Sequence, residues 1–215
     1  MENSLGPPPD VQMSSQPRPV SLREQQRSLT RARLVEAAID LFSDEGYSAT
    51  SVADITAAAG ATRATFYLHF KTKAEVALSI LADLDRLYVG VFDDLVTVVA
   101  NPSAAGIRAW LEASVGIWKS TRSASVAVNE AAGVETSLAQ ARARSFDHDI
   151  ERVTVALRQS GRWTAGQAAV RAVLILTQLE QLFLRWSTRG GELDAGDAVD
   201  VLTSMWTAAL GVDLD

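Results

Sequence analysis

The residues with the strongest chemical signature lie close together between positions 51 and 70. Thr62, Arg63, Thr65 and His69 fall on the outward side of a short helical stretch, and Val52, Ile55, Ala59, Phe66 and Phe70 supply the apolar contacts behind it. A preceding short helix opens at Ser51 and ends at Gly60, so two short helices meet at a turn. That is helix-turn-helix geometry, in which the second helix enters the DNA major groove. Hydroxyls and an arginine on the exposed first turn of such a helix suit contact with base edges. A solvated helix in an ordinary bundle would present the same side chains, so the segment taken alone leaves both readings open.

Catalytic chemistry has little to stand on. There is no cysteine, which excludes zinc-thiolate sites and cysteine nucleophiles. His69 and His148 are the only histidines, too few for a histidine-based metal site. No HExxH, GxSxG or phosphate-loop pattern occurs. Asp93-Asp94 and Asp147-His148-Asp149 sit on amphipathic stretches and read as solvated faces. The sequence predicts no enzyme, no catalytic residue, no metal site and no cofactor.

Positioning the 51–70 segment falls to an all-α chain. Five of the six prolines precede residue 20 and only Pro102 lies beyond it, so the body is free of helix breakers. Residues 1–20 are rich in Pro, Ser, Gln and Asn, cannot bury enough apolar surface to offset ordering entropy, and are expected to form a disordered tail. Capping-box spacings at Ser21 with Glu24, Ser51 with Asp54 and Thr72 with Glu75 start three helices, and Thr62 caps a further one. Asn101-Pro102 places a proline at the first turn of the next helix. The stretch Thr121 to Glu135 reads as a separate short helix with a loop at Gly133. Further helices run from about Ser137 to Ser160, from Thr164 with Gln167 to Thr188 before Gly190-Gly191, and from Asp194 onward. The total is about nine helices, with no strand and no repeat.

The block from about Arg31 to Val76 resembles the N-terminal domain of TetR-family transcriptional regulators. The resemblance rests on Ala37-Ala38, Leu41-Phe42, Gly46-Tyr47, Thr50-Ser51-Val52, Asp54-Ile55, Ala59-Gly60-Ala61-Thr62, Thr65-Phe66-Tyr67, His69-Phe70 and Lys73. Thr62 stands where serine is commoner, and Ala64 where glycine or proline is often found. The resemblance implies a three-helix DNA-binding domain over 21–71 and a larger helical ligand-binding and dimerisation domain over 72–215. It makes Arg63 the leading candidate for direct readout, since a guanidinium bonds guanine O6 and N7 together, worth roughly 1–3 kcal/mol of discrimination. Thr62 and Thr65 would touch bases, Ser51 a phosphate at a helix N-terminus, and Tyr67, His69 and Lys73 the DNA backbone. Upstream, Arg18, Arg23, Arg27, Arg31 and Arg33 are opposed only by Glu24, and such an extension either reaches neighbouring DNA or is a solvated helix end.

The later helices carry two apolar stripes between Gln167 and Thr188. One runs through Ala172, Leu176, Leu179, Phe183 and Trp186, the other through Val170, Leu174, Thr177, Gln181 and Leu184. A helix apolar on two faces is buried on two sides. The resemblance implies why: such chains pair their last two long helices with a partner's in a homodimer, which matches a two-fold operator. It also implies a cavity walled by Tyr88, Phe92, Trp110, Trp118, Phe146, Phe183 and Trp186, with Gln178 as a polar anchor for a hydrophobic or aromatic effector. More distantly, these helices resemble the EthR-like branch, whose members bind lipophilic molecules. The expected function is a cytoplasmic, ligand-responsive repressor of transcription, with an activator, or a helical carrier of lipophilic molecules that does not touch DNA, as alternatives.

The formal charge of −6 argues against a nucleic-acid partner only until it is divided. Residues 1–17 contribute −2, residues 18–75 contribute +1 and residues 76–215 contribute −5. The segment with the helix-turn-helix signature is the one net-basic part.

Overall fold

The computed structural model describes residues 21–188 and 194–212, and within them the chain forms eight helices and no strand. They are α1 (Leu22–Asp44), α2 (Val52–Ala58), α3 (Arg63–Tyr67), α4 (Lys73–Ala100), α5 (Ala104–Ala132), α6 (Thr136–Gln159), α7 (Ala165–Thr188) and α8 (Ala195–Ala209). The expected tail over 1–20 and the Gly190-Gly191 stop lie outside the described residues.

Local sequence explains most of the starts. Ser21 with Glu24 and Ser51 with Asp54 form complete capping boxes, and Thr164 with Gln167 exchanges the same pair of bonds at 3.1 and 3.3 Å. At Thr72 only half of the expected box forms. Its hydroxyl takes the Glu75 amide, but the Glu75 carboxylate accepts from the Lys71 amide instead, at 2.7 Å. Pro102 is not the first helical residue either. Ser103 caps α5 by accepting from the Gly106 amide at 3.1 Å, and Pro102 stands just before the cap.

The count of eight rather than nine comes from α5. The 121–135 stretch continues α5 to Ala132 instead of forming its own helix. No proline or glycine interrupts it between Gly116 and Gly133, and tertiary burial of Thr121, Ala127, Val128 and Ala131 outweighs its modest helix propensity.

Two apolar clusters result. The first gathers Leu34, Ala38 and Phe42 from α1, Ile55 from α2, Phe66 from α3, and Val76 and Ile80 from α4, and it is closed by Val128 and Ala131 of α5 and Leu138 of α6. The second holds Leu95 and Val99 of α4 with Ile107 and Leu111, Val153 and Leu157, Leu176, Leu202 and Trp206 from the four later helices. Helix α4 lies along α5 and α6, α6 along α7, and α8 along α5. The two clusters therefore take side chains from opposite ends of α4, which makes that helix the shared beam.

Candidate nucleic-acid interface and ligand cavity

The turn between α2 and α3 is held from three directions. The Gly60 amide donates to Ala57 O at 3.1 Å and the Ala61 amide to Thr56 O at 2.8 Å, the paired bonds of a Schellman stop. Gly60 adopts φ +59°, and a Cβ there would stand 3.0 Å from the Arg33 guanidinium. That guanidinium donates to Ala59 O, capping the end of α2 from α1. Phe66 is fully buried and draws the inner side of α3 into the first cluster. The five-residue helix α3 is thus fixed by its neighbours, since a helix of that length has no stability of its own.

Its outer side carries the expected residues in varied states. Arg63 is exposed, and its guanidinium makes no hydrogen bond or ion pair among the described residues. Thr62 is exposed at the cap, accepting from the Thr65 amide at 3.1 Å, and the two threonine hydroxyls are 2.9 Å apart. Ser51 caps α2 and donates to Asp54 at 2.6 Å, and these bonds hold the Asp54 carboxyl below its ordinary range. Tyr67 is 58% exposed beside Leu68 at 74%, an apolar pair that no described residue covers. His69 is half-buried; burial first, and then Arg27 and Arg31, push its pKa down, so the imidazole is neutral near pH 7.

Lys73 has a structural task. Its ammonium donates to Tyr47 O at 2.7 Å and Thr50 O at 2.9 Å and sits 4.1 Å from the Tyr47 ring centroid. Tyr47 Oη in turn donates to Glu135 Oε1 at 2.7 Å. Burial, and then Glu135, push the Tyr47 pKa far above its usual value. The loop before α2 is therefore clasped both to α4 and to the α5–α6 turn. Arg31 is likewise occupied, bonding Ser79 Oγ and lying 5.1 Å over Phe70.

A cavity of about 230 Å³ opens where the two clusters meet, bounded by α4, α5, α6 and α7. Six of the eight residues expected there line it: Tyr88, Phe92, Trp110, Trp118, Phe146 and Phe183. Trp110 donates its indole N–H to Val91 O at 2.8 Å and stacks on Trp206, so one face is structural. Trp118 stacks against Phe183 at 5.2 Å and against Trp186 at 4.7 Å. Trp186 is thereby placed behind the wall rather than in it. Gln178 does not reach the cavity: it is off the lining, and its buried Nε2 has no hydrogen-bond partner.

Polar lining residues went unremarked in the sequence. Asp85, Arg142, Asp149 and Glu180 all border the cavity. Asp147 and His148 are exposed as expected of a solvated face, but Asp149 is not: burial, partly offset by Arg152 and His148, raises its pKa to about 6. A usable signal existed, because Asp149 stands three residues after Phe146 and four before Val153, on the same helical face.

Comparison with known proteins follows the same division. Residues 34–80 match the family described as bacterial regulatory proteins, tetR family. The chain is 33% identical over 79 residues to the HTH-type transcriptional regulator TcmR of Streptomyces glaucescens, covering 37% of this chain and 35% of that protein. It spans about a quarter to a third of the length of the curated relatives it matches. A TetR-family transcriptional regulator from Syntrophomonas wolfei, itself described as putative, superposes with TM-score 0.70 at 18% identity, over 88% of this chain and 99% of that one. A SmeT–triclosan complex superposes with TM-score 0.65 at 21% identity, over 84% and 91%. At these identities the structures establish a shared fold. No helix among the described residues is long and apolar enough to cross a membrane.

Proposed function

Because this chain belongs to the tetR family of bacterial regulatory proteins, we propose that it is a ligand-responsive transcriptional repressor that binds a near-palindromic operator as a homodimer in the cytoplasm. The observation that carries this reading is Arg63: an exposed guanidinium that makes no hydrogen bond or ion pair among the described residues and only a weak electrostatic contact with Asp54, on the first turn of a helix whose own position is fixed by Gly60, Arg33 and Phe66. Thr62, Thr65, Tyr67 and Ser51 frame it for bases and phosphates. Lys73 serves by holding the loop that precedes α2, and His69 by lying neutral between α1 and α3.

Support for the dimer comes from apolar side chains left in water. Val170 and Leu174 on α7 are 59% and 62% exposed, and Val201 and Met205 on α8 are 59% and 51% exposed. A second copy would cover them and set two α3 helices roughly 34–36 Å apart on successive major grooves. The cavity is the effector site, and a structural neighbour captured with triclosan supports a small-molecule ligand. A ligand there pushes on α4, whose other end carries Val76, Ile80 and Lys73 in the DNA-binding part. A coupling of roughly 1–3 kcal/mol would change operator affinity about 5- to 150-fold.

The test is a mobility-shift titration of the full chain on DNA from its own upstream region against a scrambled duplex of equal length. Binding at least about a hundredfold tighter to the first supports the reading. Equal affinity for both duplexes overturns it.

A further inference from the structure

The charges around the cavity do not balance. Asp85 on α4, Arg142 and Asp149 on α6, and Glu180 on α7 line it. Arg142 is taken by Glu180 at 2.6 Å, with both side chains about a third exposed or less. That pair leaves two aspartates with no cation of their own in the lining. Asp85 accepts from Ser145 Oγ at 2.8 Å. Asp149 accepts no hydrogen bond among the described residues, although its side chain is only 19% exposed. Its nearest cation, Arg152, stands 3.7 Å away and gives its other nitrogen to Asp93. Asp85 and Asp149 are close enough to act on each other electrostatically. Asp149 thus has a distant, shared cation but no hydrogen-bond donor among the described residues, and a carboxylate held this way wants one.

Beside these carboxylates stands the aromatic wall of Phe92, Trp118 and Phe183. We propose that the cavity takes a lipophilic monoamine, with its protonated nitrogen between Asp149 and Asp85 and its apolar body against Phe92, Trp118 and Phe183. This rests on reading the cavity as the effector site. An ammonium brings three donors and a positive charge to a lining short of both, and aromatic faces favour the adjoining cationic carbon chain. A metal ion fits less well, since no three His, Asp or Glu side chains among the described residues converge to hold one. An anion would meet two carboxylates, with Arg142 already committed.

The test uses three probes with one arylalkyl body and three charges: 4-phenylbutylamine, 4-phenylbutanol and 4-phenylbutyrate. Each is titrated into the full chain without DNA at pH 7.5, by calorimetry and by quenching of tryptophan emission. The amine is expected to bind about tenfold or more tighter than the alcohol, and the carboxylate weakest of all. Asp149→Asn should bring amine and alcohol to within about threefold of each other, because the asparagine still hydrogen-bonds either head group but no longer carries the charge that favours the ammonium. Equal affinity of the unaltered protein for amine and alcohol, tighter binding of either of the other probes, or no binding of any, overturns the proposal whatever the variant does. A charge preference that survives Asp149→Asn overturns it too. If the amine preference holds but saturating amine leaves operator affinity unmoved, the amine site stands and the effector reading falls.

Discussion

Replacing Asp149 by asparagine should make the ligand-free protein more stable at neutral pH, which is uncommon for a half-buried polar residue. The carboxyl titrates near 6 in the folded chain against an ordinary value of 3.8, with burial as the main cause and with Arg152 and His148 pulling the other way and Asp85 adding to the rise. Because the folded state holds its proton more tightly, wild-type stability falls as pH rises between those two values and stays low above about 6. Roughly two units at 1.36 kcal/mol each set a ceiling of about 3 kcal/mol. Asparagine keeps the volume but introduces an amide that also needs partners, so a net gain of about 1–2 kcal/mol is expected at pH 7.5. In urea titrations at fixed protein concentration, the gain should be full at pH 7.5 and vanish by about pH 4, where the wild-type carboxyl is neutral in the folded state. A variant no more stable than wild type at pH 7.5, or one whose gain is the same at both pH values, would refute the reasoning.

Three other outcomes are expected. Arg63→Ala should weaken operator binding by roughly 1–3 kcal/mol while barely changing affinity for random duplex; equal losses on both would show that Arg63 touches phosphate instead of a base. Tyr47→Phe removes the bond to Glu135, a charge-assisted one, and should lower unfolding free energy by about 1–2 kcal/mol; an unchanged urea midpoint would mean that the clasp carries no stability. Leu174→Glu combined with Met205→Glu places charge on the bare faces of α7 and α8 and should leave a folded monomer, read by sedimentation velocity with circular dichroism as control; a persisting dimer would put the interface elsewhere.

Helix starts were legible wherever a short-range bond pattern decides them. Ser21, Ser51 and Thr164 cap as their spacing implies because both partners lie within three residues on one chain segment. Glu75 had a competing donor one position upstream, and Ser103 displaced Pro102, so even local rules bend to the nearest alternative. The 121–135 stretch is a different kind of miss. Its residues are indifferent helix formers, and α5 is carried through them by burial against α1, a contact with no local signature.

The cavity shows the same boundary between local and tertiary information from the other side. Its aromatic residues are legible because the family resemblance implies a cavity walled by them, and six of the seven line it. Gln178 was expected there on polarity alone, yet it lies off the lining, so a polar residue within an apolar run does not by itself mark a ligand anchor. Asp149 inverts the case. Its acidic neighbourhood at 147–149 read as solvated, but periodicity puts it on the face of Phe146 and Val153, and that face is what α4 and α7 cover. Composition weighs a charge by its neighbours along the chain, whereas burial weighs it by its neighbours around the helix. For α6 the second rule is the one that finds the acid in the cavity, and Arg142, four residues before Phe146, is found by the same count. An ionisable group retained on an apolar stripe, with its energetic penalty only partly offset by Arg152 and His148, is the feature that a bound cation would explain.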